Sequence, residues 1–70
     1  MPTLRVEMFA GRTVEQKRAL ARELTDATVR ALAVPASAVE VLFFDIERSD
    51  WAVAGRLCSD PADASPPMSA

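Results

Sequence analysis

The fold is decided by residues 3–46, in which TLRVEMF (Thr3–Phe9) precedes VEQKRALARELTDATVRAL (Val14–Leu32) and VEVLFFDI (Val39–Ile46). The first segment alternates apolar and polar residues, which is typical of a half-buried strand. The second segment is rich in residue types that favour helix. The third is dense in β-branched and aromatic residues and gives the clearest strand pattern in the chain. The order therefore predicts a strand, a long helix and a second strand.

The ends of these elements carry their own signals. Thr13 stands three residues before Gln16, a spacing that fits a capping box at the start of the helix. Pro35 cannot continue the helix, so residues 35–38 are predicted to form a turn. A single turn of 3₁₀ helix fits this segment. The segment from Trp51 to Gly55 forms either a short hairpin or a cover. The apolar stripe of the helix is predicted to contain Leu20, Leu24, Ala27, Thr28, Ala31 and Leu32.

A strand, a helix and a strand in this order predict a single βαβ unit of the α/β (α+β) class, with a parallel two-stranded sheet. One helix covers only one face of such a sheet. The second strand, however, carries Leu42 and Phe44 on one side and Val41 and Phe43 on the other. Both faces are too apolar to meet water, so we expect sheets from several copies to pack together.

Composition limits the possible classes of protein. Seventy residues allow one domain, and a chain of this size buries only about 60% of its unfolded surface. One cysteine and no histidine exclude an intrachain disulfide and argue against a metal site, which leaves oligomerisation as the expected source of stability. A net charge of −2 argues against nucleic acid as a partner. Without a signal peptide or a long apolar run, the expected location is cytoplasmic, with no membrane contact.

The domain is predicted to cover residues 1–58. The remaining segment, SDPADASPPMSA at residues 59–70, contains three prolines and has little apolar mass and no periodicity. Such a segment cannot bury enough apolar surface to offset its ordering entropy. We therefore predict a disordered or loosely docked tail.

Pro2 is the candidate catalytic residue. Methionine aminopeptidases remove Met1 when a small residue such as proline follows, so we expect a mature chain that begins with the secondary amine of Pro2. An α-amino group titrates near ~7.7–8.0 before any perturbation. Modest desolvation or a nearby cation lowers that pKa toward neutrality, where a general base works best.

Several features in register resemble the 4-oxalocrotonate tautomerase family: Pro2 before a short strand, Gly11-Arg12, Glu15-Gln16-Lys17, Pro35, and the segments 39–45 and 51–55. The resemblance implies an isomerase in which the N-terminal proline moves a proton on an enol carboxylate, such as a 2-hydroxydienoate. It also implies a homohexamer of small βαβ chains, a small keto or enol acid as the partner, and no cofactor.

The resemblance assigns further roles in the site. Arg12 matches the arginine that binds a substrate carboxylate in the family. A guanidinium suits this role because it can donate two parallel hydrogen bonds to one carboxylate. Trp51 stands where the family has an aromatic pocket wall. A cover for the sheet edge is the plainer interpretation of Trp51, and both interpretations fit a pocket at a subunit boundary. Asp45 and Glu47 are interpreted as solvated turn charges rather than as an acid/base pair.

Glu40 departs from the family pattern, because tautomerases that act on diacids carry a second substrate-binding arginine at this point. A carboxylate there would repel a dianionic substrate and raise the pKa of the Pro2 amine. A solvated strand charge is the plainer interpretation of Glu40. If Glu40 does face the site, three accounts remain open. Another arginine, Arg5, Arg48 or Arg56 of this or a neighbouring chain, takes the place of the missing substrate-binding arginine. Alternatively, the substrate is a monoacid or a neutral enol, or the chain is a non-catalytic or divergent subunit of a hetero-oligomer.

Overall fold

The computed structural model describes residues 2–61. Its elements in chain order are β1 (Thr3–Phe9), α1 (Val14–Leu32), β2 (Glu40–Ile46), β3 (Ala52–Val53) and β4 (Arg56–Leu57), with 3₁₀ turns at Ala36–Ala38 and Arg48–Asp50. The predicted helix and the predicted 3₁₀ turn are confirmed, and β2 begins one residue later than expected. Of the two alternatives for residues 51–55, the hairpin is the one observed. Most of the predicted tail, residues 62–70, lies outside the described residues.

The two long strands form a parallel sheet, in a register that pairs Thr3 with Glu40. The ladder continues past both strand ends, since the Glu40 N–H donates to the Pro2 carbonyl at 3.0 Å and the Ala10 N–H donates to the Ile46 carbonyl at 2.9 Å. β3 and β4 form a separate antiparallel hairpin. The predicted fold class, a parallel βαβ unit with a short C-terminal hairpin, is confirmed.

The boundaries of α1 follow from local chemistry. The Thr13 hydroxyl accepts from the Gln16 N–H at 3.0 Å, and the Gln16 side chain accepts from the Thr13 N–H at 2.9 Å, so the predicted capping box is present. At the other end, Ala33 adopts a left-handed conformation with φ of 56°, and its N–H donates to the Val29 carbonyl at 2.9 Å. A residue with a Cβ pays roughly 1–2 kcal/mol for that conformation, so this cap is strained.

The hairpin turn has its own backbone requirement. Ala54 and Gly55 have φ values of 56° and 82°. Positive φ at both central positions gives a type I′ turn, whose twist matches that of the flanking strands. The Cys58 N–H donates to the Trp51 carbonyl at 2.8 Å and closes the hairpin at its base.

α1 covers one face of the sheet. Leu4, Val6 and Met8 are half-buried on that face. The other face of the sheet is open in the described chain, where Leu42 is 44% exposed and the Arg5 guanidinium lies 4.6 Å from the centroid of the Phe44 ring. The open face therefore leaves apolar side chains of β2 without a cover, as the sequence predicts, next to the charged Arg5 and Glu7 of β1.

Within residues 2–61 no side chain is fully buried. The predicted helix stripe is only partly correct: Leu20, Leu24 and Thr28 are half-buried, but Ala27, Ala31 and Leu32 are exposed. A two-stranded sheet is about as narrow as one helix, so it cannot cover a wide apolar stripe. A chain without an enclosed core is marginal alone, which supports the expectation that copies pack together.

Candidate active site

One end of the sheet holds Pro2 and Glu40. Pro2 is half-buried directly before β1, and its carbonyl accepts the Glu40 N–H at 3.0 Å. Glu40 opens β2 with an exposed side chain that has no ion-pair partner within residues 2–61. The structure therefore places the backbones of Pro2 and Glu40 next to each other, at the amino ends of two parallel strands.

Arg12 lies at the opposite end of the sheet. Gly11, with φ of 119°, turns the chain from β1 toward α1, and this conformation favours glycine because it has no Cβ. Arg12 follows as an exposed side chain and lines a cavity of about 180 Å³ together with Met8 and Lys17. It forms no ion pair within the described chain, so its guanidinium is free to bind an anion.

Trp51 lies at the same end as Arg12 but on the open side of the sheet. Its ring centroid is 4.7 Å from that of Phe9, with the planes tilted by 55°. This contact attaches the base of the hairpin to the carboxyl end of β1, a favourable aromatic geometry. Trp51 therefore packs on Phe9, and its two interpretations, as a cover for the sheet edge and as a pocket wall, both stay predictions.

The four candidate residues do not meet within one chain. β1 is seven residues long, and a strand rises about 3.3 Å per residue, so roughly 23 Å separates Pro2 from the Phe9 end of the sheet. That distance far exceeds the length of an arginine side chain. The structure brings Pro2 together with Glu40, and it places Arg12 and Trp51 at the other edge. A site that uses all four therefore requires a second copy.

Two features of this region differ from what the sequence predicts. Asp45 lies in β2 rather than in a turn, and its exposed carboxylate accepts from the Lys17 ammonium of α1. Glu47 follows the last residue of β2 and is exposed, as the interpretation of a turn charge expects. Phe9 was not singled out, although an aromatic residue in a polar register of β1 signals a contact on the open face.

Two further arginines lie close to Trp51. The Arg48 guanidinium lies 4.0 Å from the centroid of the Phe9 ring, on the ring to which Trp51 also packs. Arg56, the first residue of β4, lines the same cleft as Arg48 and Phe9. Arg5 is remote from them, in the middle of β1 and over Phe44. Of the three substitutes considered for the missing arginine, two therefore share one cleft.

Neither a membrane span nor a metal centre is found in residues 2–61. No helix in this range is long and apolar enough to cross a bilayer. The same range contains no group of three or more His, Cys, Asp or Glu side chains that could hold a metal ion.

Comparison with known proteins identifies the family of this chain. The family model for tautomerase enzymes matches residues 2–60. A probable tautomerase of Streptococcus pneumoniae is 44% identical over 57 residues, which cover 81% of this chain and 95% of that protein. The 2-hydroxymuconate tautomerase of Comamonas testosteroni is 36% identical over 79% of this chain and 87% of its own length.

A solved structure shares the fold at similar identity. A heterohexamer 4-oxalocrotonate tautomerase from Chloroflexus aurantiacus aligns with a TM-score of 0.81 and 35% identity, over 86% of this chain and 97% of its own. The match of the family model spans every element that carries a candidate residue, from Pro2 to the hairpin. The chain therefore belongs to the tautomerase family.

Proposed function

We propose that this chain is an isomerase that catalyses keto–enol proton transfer on a 2-hydroxydienoate or a related enol carboxylate, with Pro2 as the general base after removal of Met1. The observation that carries the proposal is the position of Pro2, half-buried at the amino end of the sheet with its carbonyl tied to Glu40. This hydrogen bond fixes the backbone next to the ring nitrogen. A fixed base can hold the short donor–acceptor distances that proton transfer needs.

The reaction needs no redox partner. The neutral nitrogen of Pro2 accepts the proton of the enol hydroxyl, and the electron pair moves through the conjugated system to carbon. The Pro2 ammonium then gives the same proton to that carbon, so the amine returns to its neutral form. Apolar surroundings and nearby guanidinium groups both disfavour the ammonium, and they thereby lower the pKa of the Pro2 amine toward neutrality.

Arg12 and Trp51 are proposed to serve the Pro2 of a neighbouring copy. Copies that pack with their strands antiparallel bring the amino end of one sheet to the carboxyl end of another. Arg12 then anchors a substrate carboxylate, and Trp51 forms an apolar wall. The exposed apolar face of the sheet supports this association. A homohexamer is the assembly that we propose.

Pro2→Ala tests the role of the base. We expect kcat on phenylenolpyruvate to fall by about 10²–10⁴-fold, the usual contribution of a positioned base. Retention of Met1 should have a similar effect, because it converts the amine to an amide. The adjacent exposed Thr3 supplies a control, since Thr3→Ala should leave kcat nearly unchanged. Undiminished turnover in both Pro2→Ala and the Met1-retaining protein would refute the proposal.

Subunit complementation tests whether the site is shared between chains. Pro2→Ala and Arg12→Gln proteins should each be nearly inactive. After both are dissociated and reassembled at equal amounts, random pairing restores a native Pro2 opposite a native Arg12 in about a quarter of the sites. Activity should therefore return to about a quarter of the native value, whereas sites built within single chains would stay inactive in every mixture.

A non-catalytic or divergent subunit of a hetero-oligomer is the second candidate, favoured by Glu40 at the position of a substrate-binding arginine. The similarity to a heterohexameric tautomerase is consistent with it. Native mass spectrometry of the chain expressed alone separates the two candidates. A homohexamer that turns over phenylenolpyruvate excludes the second candidate, and an inactive or incompletely assembled chain supports it.

A further inference from the structure

The carboxyl end of β1 and the hairpin enclose a cleft of about 320 Å³, which we call the hairpin cleft. Phe9 forms its apolar floor, and the side chains of Arg48 and Arg56 enter it from the 3₁₀ turn and from β4. The residues that line the cleft include no acidic side chain. The cleft therefore combines two positive charges with an apolar surface.

Neither guanidinium group of the cleft has an ionic partner in the described part of the chain. Within residues 2–61 the ion pairs are those of Lys17 and Arg18, so neither Arg48 nor Arg56 has a carboxylate partner there. The Arg48 guanidinium lies over the Phe9 ring at 4.0 Å, a contact that fixes its plane and leaves its N–H groups at the edges unused.

Arg56 supplies the second observation. Its Nε is shielded from water and has no hydrogen-bond acceptor in the described chain. Buried donors are nearly always paired in folded proteins, and an unpaired donor next to a charged group is costly. A carboxylate oxygen cannot reach the shielded Nε, but a carboxylate that approaches end-on can accept from the two terminal nitrogens of the same guanidinium and pair its charge.

We propose that the hairpin cleft binds a carboxylate of the substrate and supplies the cation that position 40 lacks. This inference rests on the proposed function, because it places the cleft beside the Pro2 of a neighbouring copy. Trp51 packs on the same Phe9 ring that forms the floor, so the cleft adjoins the proposed pocket wall. Arg5 cannot take this role, since it lies in mid-strand over Phe44 and lines no part of the cleft.

The assignment predicts which acids bind. A dicarboxylate has one carboxylate for Arg12 and one for the cleft, so Glu40 need not exclude it. A monocarboxylate of equal length engages only one of the two. Each charge-assisted pair usually changes affinity by about tenfold or more, so the dianion should bind at least about tenfold more tightly than the monoanion.

Trp51 fluorescence measures this binding without any turnover, because Trp51 is the chain's single tryptophan and contacts the floor of the cleft. Adipate and hexanoate are suitable probes, since both have six carbons and neither absorbs at the excitation wavelength. Titrations are done on the assembled protein, with size-exclusion chromatography of each variant to verify the same assembly. The native protein should give a saturable signal with adipate and a much weaker affinity for hexanoate.

Arg56→Gln should remove the preference for adipate, and Arg48→Gln should reduce it. Arg56→Lys should retain part of it, because lysine keeps the charge and loses the paired donors. Arg22→Gln, on the exposed side of α1, is the matched control and should leave both affinities unchanged. The proposal is refuted if the native protein shows no preference, or if Arg56→Gln and Arg48→Gln both retain it.

Pro2→Ala separates this inference from the proposed function. If the cleft binds a carboxylate, adipate affinity should be unchanged in the Pro2→Ala protein, whatever its activity. In the active protein, Arg56→Gln should raise KM for a hydroxymuconate-like diacid by about tenfold or more and leave KM for a monoacid within about twofold. An equal rise in both KM values would contradict the assignment.

Discussion

Replacement of Glu40 by glutamine should lower the pKa of the Pro2 amine. The backbone hydrogen bond of 3.0 Å between these residues fixes them as neighbours across the sheet. A nearby carboxylate stabilises the protonated amine, so its removal favours the neutral form. Because Glu40 has no ion-pair partner within the described chain, its charge is not cancelled locally. In the proposed mechanism the neutral form acts as the base, so the substitution should raise the rate at low pH.

The size of this effect follows from Coulomb's law. Neighbouring strands lie about 4.8 Å apart, and the glutamate side chain adds a few ångströms, so the charges are about 7 Å apart. With an effective dielectric constant of about 40, between the surface and bulk-water values, the interaction is about 1.2 kcal/mol. This free energy corresponds to a decrease of about 0.9 in the pKa of the Pro2 amine.

The direct measurement is a ¹⁵N NMR titration of the Pro2 nitrogen in the assembled Glu40→Gln protein, without substrate. The pH dependence of kcat/KM on phenylenolpyruvate gives a second readout. The rate should rise by up to about eightfold at a pH well below both pKa values and show no gain at about pH 9, where the amine is neutral in both proteins. Glu23→Gln on α1 is the control. Identical Pro2 titrations in the Glu40→Gln and native proteins would refute the reasoning.

The remaining predictions concern stability and are measured by urea unfolding at one fixed protomer concentration, because unfolding is coupled to dissociation. Ala33→Gly should raise the free energy of unfolding by about 0.5–1 kcal/mol, since it relieves the left-handed cap, whereas Ala19→Gly inside the helix should lower it by about 1 kcal/mol. Equal losses in both variants would contradict the assigned strain. Thr13→Ala should cost about 1 kcal/mol through loss of the capping box, and a neutral result would argue against it. Asp45→Asn should cost less than about 1 kcal/mol, because its pair with Lys17 is partly exposed.

Local signals in the sequence determined the secondary structure of this protein. The Thr13–Gln16 spacing and Pro35 limited the helix because capping and chain termination depend on neighbouring residues alone. The alternation in β1 and the β-branched run in β2 were sufficient for two strands. The order of these elements, together with the Pro2 and Gly11-Arg12 motif, was sufficient for the fold class and the family.

Contacts between distant residues were decided by the tertiary structure. The pair between Lys17 and Asp45 depends on how α1 crosses the sheet, a quantity that no local pattern contains. The stack of Arg48 on Phe9 likewise depends on where the hairpin returns. Sequence alone left three arginines as equal substitutes, and only the fold placed two of them in one cleft.

The site itself shows the same division. The sequence named Pro2, Arg12, Glu40 and Trp51, because each residue type has a chemistry that can be identified without coordinates. Only the tertiary structure put Pro2 and Glu40 at one end of a seven-residue strand and Arg12 and Trp51 at the other. The physical reason is that a parallel sheet brings residues together according to the strand end at which they lie, whatever their chemistry, so one chain holds the candidate residues in two separate groups.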